Sequence, residues 1–171
     1  MDFVVVHVQV RVCHHLPNQN NLKVIGYYSI IGMNSNRIEL EEGWTKINPE
    51  IESLIHKVWQ DNNSNPMNVS FSNAEYMKVL VYNMCTQKPP YNYSEQLYQK
   101  YIQTIEQVFV INVIPRLDES SEKELTKVIQ SQWLCFRVFV KWMSSFFSYL
   151  DRFHTKRQAL PCLKETGHAV F

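Results

Sequence analysis

Glycine is scarce in this chain, at 4 of 171 residues, and that scarcity argues against the glycine-rich loops that cradle phosphates, where several neighbouring positions must lack a Cβ. Charge of one sign is lacking too. The 17 Lys+Arg and 16 Asp+Glu leave a formal net charge of +1, which gives little leverage for displacing counterions from a polyanion, so neither nucleic acid nor an acidic membrane is expected as a partner. The four cysteines, Cys13, Cys85, Cys135 and Cys162, form no pair at the two-residue gap of zinc and redox sites. They read as free thiols in a reducing compartment. No apolar run is long enough for a membrane span or a signal peptide, because the stretch Phe3 to Val12 is broken by His7, Gln9 and Arg11. A cytoplasmic or nuclear protein is expected, in which the glycosylation-type triplets at Asn62, Asn68 and Asn92 arise by chance.

Catalytic constellations are missing as well. There is no paired-histidine zinc helix and no serine nucleophile elbow. Cys13-His14-His15 is the nearest approach to a metal cluster, but adjacent residues seldom ligate one ion together, so no metal and no cofactor are expected. Cys135 and His154 fall ~28 Å apart along one expected helix, too far for a nucleophile and its base.

Apolar side chains are plentiful, at 45%, with 19% charged residues, a balance that folds. Their period changes along the chain. Val4, Val6, Val8, Val10 and Val12 alternate like a strand, and a turn-like Leu16 to Asn21 leads to a β-leaning Val24 to Ile31. Residues 1–36 thus read as an extension, either a hairpin or disordered. From Ile38 onward the period is helical, with Trp44, Ile47, Ile51, Leu54, Ile55 and Val58 on one stripe and a kink or restart expected at Pro49. Ser72 to Glu75 reads as a capping box for a second helix reaching about Gln87, before Pro89 and Pro90. Ser94 is expected to cap a third helix carrying Leu97, Tyr101, Ile105 and Val108 and ending near Pro115.

A second box, Ser121 to Glu124, opens a segment from about 122 to 156 with two apolar seams. Phe136, Val140, Met143, Phe147 and Leu150 form one seam; Phe139, Trp142, Phe146, Tyr149 and Phe153 form the other, turned by about 100°. Arg137, Lys141, Ser144, Ser145, Ser148 and Arg152 gather opposite. The apolar arc is wider than one neighbouring helix needs, so either this helix is central in a bundle or part of the arc faces a partner. A further helical pattern runs into Ala169-Val170-Phe171, as if a longer protein were cut there.

Several dense motifs resemble the first repeat of plant cullins. They are Ile38-Glu39-Leu40-Glu41-Glu42-Gly43-Trp44, Tyr82 to Pro90, Ser94 with Gln96-Leu97-Tyr98 and Lys100-Tyr101, Lys141-Trp142-Met143, and Phe146 to Arg152 with Arg157, Leu160-Pro161 and Gly167. The resemblance implies an all-α bundle of about five helices over 37–171, the last one truncated, of the kind that stacks threefold into a curved stalk. It also implies a non-catalytic scaffold piece of a cullin-RING ubiquitin ligase, whose tip holds a Skp-type adaptor carrying an F-box protein. Carried over by position, the adaptor contacts are Tyr76, Met77, Leu80, Phe147, Leu150, Asp151, Phe153 and His154. A RING-box protein is not expected to bind this stretch. The segment between Tyr76-Met77 and Tyr82-Asn83 is two residues shorter than in plant cullins, which turns one part of that helix by about 200° against the other. Other readings of the same pattern are a helical rod of a vesicle-tethering type of assembly and a truncated cullin-like competitor.

Overall fold

The computed structural model describes residues 37–60 and 66–171. The expected amino-terminal hairpin and the Cys13-His14-His15 cluster lie outside the described residues. Those residues are all-α, as the helical period from Ile38 onward implies. In chain order the helices are α1 (Leu40–Trp59), α2 (Ala74–Thr86), α3 (Ser94–Val108), α4 (Ile114–Asp118), α5 (Leu125–Phe146), α6 (Thr155–Gln158) and α7 (Leu163–His168). A short turn of tighter helix, Pro66–Asn68, precedes α2. Wide π-helical turns, Phe109–Val113 and Leu150–His154, lead into α4 and α6. No described helix is long and apolar enough to cross a membrane, and no group of metal-ligating side chains occurs among the described residues.

Helix α5 lies at the centre, touching α1, α2, α4 and α7. Its first seam, Phe136, Val140, Met143, Phe147 and Leu150, is wholly buried. The second seam begins buried at Phe139 and Phe146 and rises to the surface at Phe153, which is 46% exposed. The central position expected for this segment is therefore met, and the second seam runs past the end of α5 to an exposed ring in the following wide turn.

Polar links fix the helices against one another. Buried Trp59 donates its indole N–H to Gln132 Oε1 (3.0 Å), tying the end of α1 to α5. Gln87, just past α2, donates to Ile38 O (2.9 Å) and accepts from the Ile38 N–H (2.8 Å), holding the start of α1. Tyr101 Oη donates to Leu163 O (2.7 Å), joining α3 to α7, and burial pushes that phenol well above its ordinary pKa.

Several local expectations are corrected. Helix α1 does not restart at Pro49 but runs through it, because Pro49 and Thr45 both sit on the solvent face, where water can meet the carbonyl left without an N–H partner. Ser72 and Glu75 form no capping box; Glu75 pairs with Lys78 (2.7 Å), and the helix starts at Ala74. Ser94 is the first residue of α3 and not its cap, since its N–H donates to Asn92 Oδ1 (3.1 Å). The helical path continues past Pro115, because the wide turn before it absorbs the proline, closed by the Ile114 N–H on Phe109 O. Ser121 meets the Glu124 N–H through its backbone carbonyl (2.9 Å), so this box is also absent and α5 begins at Leu125. The long segment itself breaks at Phe147. A capping box does form at Cys162 and Glu165, with sulfur accepting the Glu165 N–H (3.4 Å).

Close packing of α7 on α5 depends on Gly167, where an added Cβ would come within 2.7 Å of Val140 Cγ1 and 3.0 Å of Tyr101 Oη. Val140 is fully buried and cannot swing aside. Gly167→Ala should therefore lose stability by about 1–3 kcal/mol despite alanine's better helix propensity, read as a fall of several degrees in a thermal melt. An unchanged or higher melting temperature would show that α7 does not press on α5 at this point.

Candidate docking face

The eight residues expected at a partner surface divide sharply. Met77, Phe147 and Leu150 are 0% exposed and Leu80 is 5% exposed, all four inside this chain's own core. Helix repetition explains Met77 and Leu80: Ala74, Met77, Leu80-Val81 and Met84 recur at three- and four-residue steps and are all buried. Tyr76 is half-buried and packed against the core. Asp151 accepts the Leu163 N–H (2.7 Å) and so holds the start of α7. His154 is buried, its ring 5.3 Å from that of Tyr98 and its Nε2 3.2 Å from Glu95 Oε2, though not in hydrogen-bond geometry. Phe153 alone of the eight is a large apolar side chain open to solvent.

Beside Phe153 lies a groove of about 550 Å³ between α2 and the end of α5. Val79 and Tyr82 line one wall, Tyr149 and Phe153 the other, with Lys78 and Arg152 among its charged groups. Tyr82 is 51% exposed and meets Tyr149 edge-on at 5.3 Å; Tyr149 lies 4.7 Å from Phe153. The result is a row of three rings with a wet side. Val79 and Tyr82 each stand two residues beyond buried Met77 and Leu80, about 200° around the helix. The apolar period marks the stripe of α2 facing the core, so the groove wall behind it had only Tyr82 to signal it.

Next to the groove, Cys85, Glu95, His154 and Arg157 border a smaller cavity of about 270 Å³. A thiol, an imidazole and a carboxylate together invite a nucleophilic reading. Burial pushes the Cys85 thiol up to about 12, far outweighing the lowering hydrogen bond with Ser94, so the thiolate is not available near neutral pH.

Comparison with known proteins gives a consistent picture. Residues 44–171 match the family model described as the cullin alpha solenoid domain. The chain is 38% identical over 136 residues to Cullin-1 of Oryza sativa subsp. japonica, covering 78% of this chain and 18% of that protein. It is 33% identical over 137 residues to Putative cullin-like protein 2 of Arabidopsis thaliana, covering 79% of this chain and 35% of that protein. It is 28% identical over 137 residues to Cullin-like protein 3 of Arabidopsis thaliana, covering 78% of this chain and 50% of that protein. No solved structure matches.

Proposed function

Because this chain belongs to the cullin family, we propose that it works as a non-catalytic docking module of a ubiquitin-ligase scaffold, holding a Skp-type adaptor that carries an F-box protein. The observation that carries this reading is the groove lined by Val79, Tyr82, Tyr149 and Phe153, which leaves large aromatic surface uncovered on the two segments that the cullin resemblance assigns to adaptor contact. Met77, Leu80, Phe147 and Leu150, on or beside the same segments, are buried in the chain's own core. Phe153 lines its end, whereas Asp151 and His154 lie outside its lining, and the cytoplasm or nucleus is where such a complex would act. Aromatic anchors in a partly pre-formed groove suit an apolar helix of a partner, laid in with its charged rim near Lys78 and Arg152.

The matched stretch spans 18% of rice Cullin-1 but 50% of Cullin-like protein 3, so the family includes proteins much shorter than the former. A docking module of this length would compete with a longer scaffold for adaptor. Excess chain added to a reconstituted full-length cullin ligase should therefore slow ubiquitin transfer, with a midpoint that rises as more full-length cullin is present, as competition by mass action requires. With charged conjugating enzyme and RING-box protein but no full-length cullin, the chain should give background transfer only. Stimulated transfer in the second reaction would contradict the non-catalytic reading, and undiminished transfer in the first would contradict adaptor capture.

A further inference from the structure

A second concave surface lies on α5 and α7 and shares no lining residue with the aromatic groove. On α5, Arg137 and Lys141 are one helical turn apart; on α7, Lys164 and His168 have the same spacing. Gly167 lets the two helices approach closely, and the two basic pairs consequently border a single cleft of about 360 Å³. Trp142, Val138 and Met67 supply its apolar walls. No carboxylate lines it, and none of Arg137, Lys141 or Lys164 has an ion-pair partner among the described residues. In a chain whose net charge is only +1, three cations around one cleft, without an ion pair among the described residues, are a local concentration.

His168 adds a second mark. Its Nε2 is buried and has no hydrogen-bond partner. Burial, then Lys164 and Arg137, lower its pKa below the usual imidazole value, and its ring rests on Trp133 at 5.2 Å. Such a buried polar atom costs free energy until something meets it.

We propose that this cleft docks an acidic segment of a protein partner in which apolar side chains alternate with carboxylates. Charge complementarity selects carboxylates: the Arg137 guanidinium offers a two-pronged donor, and Lys141 and Lys164 are point charges on either wall. Apolar area on Trp142, Val138 and Met67 gives an inorganic phosphate or a sugar-phosphate chain nothing to cover, whereas a leucine or phenylalanine beside a glutamate would fill it. The site stands apart from the adaptor groove, so one surface can fail without the other.

The test is fluorescence anisotropy of the full chain with a short labelled peptide of alternating glutamate and leucine, set against the same peptide with glutamine for glutamate. The glutamate peptide should bind, weaken as ionic strength rises, and bind at least about tenfold less well to the double variant Arg137→Glu with Lys164→Glu, since a reversed charge repels what the original attracted. Both positions are exposed, so the fold should persist, checked by circular dichroism; Lys141→Glu provides an independent variant. Phe153→Ala should leave this binding unchanged. Equal binding of the glutamine peptide, indifference to the charge reversals, or tighter binding of inorganic phosphate, anionic vesicles or single-stranded polynucleotide would each overturn the proposal.

Discussion

Replacing Leu150 with arginine is expected to unfold the chain and not merely to silence one surface. Leu150 is fully buried in the core. An arginine there would bring a positive charge with no partner into an apolar surround, a cost of several kcal/mol after relaxation, on top of the lost leucine burial. Domains of this kind are stable by only about 5–15 kcal/mol, so one such change removes most of the margin. Circular dichroism should show a collapsed or strongly lowered melting transition. Phe153→Arg, three residues on but 46% exposed, should melt close to the original chain. A Leu150→Arg variant that melts normally would mean that the side chain faces solvent and that the core is wrongly placed.

The second large effect is on binding. Truncating a central aromatic anchor of an interface costs on the order of 2 kcal/mol or more, roughly thirtyfold in affinity. Phe153→Ala should therefore reduce adaptor binding about tenfold or more while leaving the thermal melt in place, and adding Tyr82→Ala should reduce it further. Met77→Ala should behave in the opposite way. It opens a cavity beneath α2, lowers stability by about 2–5 kcal/mol, and affects docking only as far as the groove sags. Comparing melts with affinities across Phe153, Tyr82 and Met77 separates side chains that touch the adaptor from side chains that hold the wall.

Much of this division was legible in the residues, and some was not. The helical stripe Ile47, Ile51, Leu54 and Val58 and the seam Phe136 to Leu150 both lie in the core, because a three- and four-residue period leaves an apolar face little choice but burial. Periodicity alone does not say whether an apolar side chain is covered by its own chain or by another; Met77, Leu80, Phe147 and Leu150, carried over by position from the cullin resemblance, are covered by this chain's own core. A step of two residues along α2 is a turn of about 200°, the angle that separates buried Met77 from groove-lining Val79. Caps were harder still. Ser72 and Ser121 carry the usual capping letters without making the bonds, whereas Cys162 makes them with a sulfur that no capping rule names. The wide turns at Phe109–Val113 and Leu150–His154 leave no compositional mark, and only the packing around Pro115 and Asp151 reveals what they accommodate.

Titration of a Skp-type adaptor, in complex with an F-box protein, into the full chain by isothermal calorimetry tests the central claim most directly. Saturable one-to-one binding is expected, weakened about tenfold or more by Phe153→Ala and unchanged by the paired reversals at Arg137 and Lys164. An absence of binding to the well-folded chain, or equal affinity for the original and Phe153→Ala proteins, would contradict the assignment of the aromatic groove as the adaptor site.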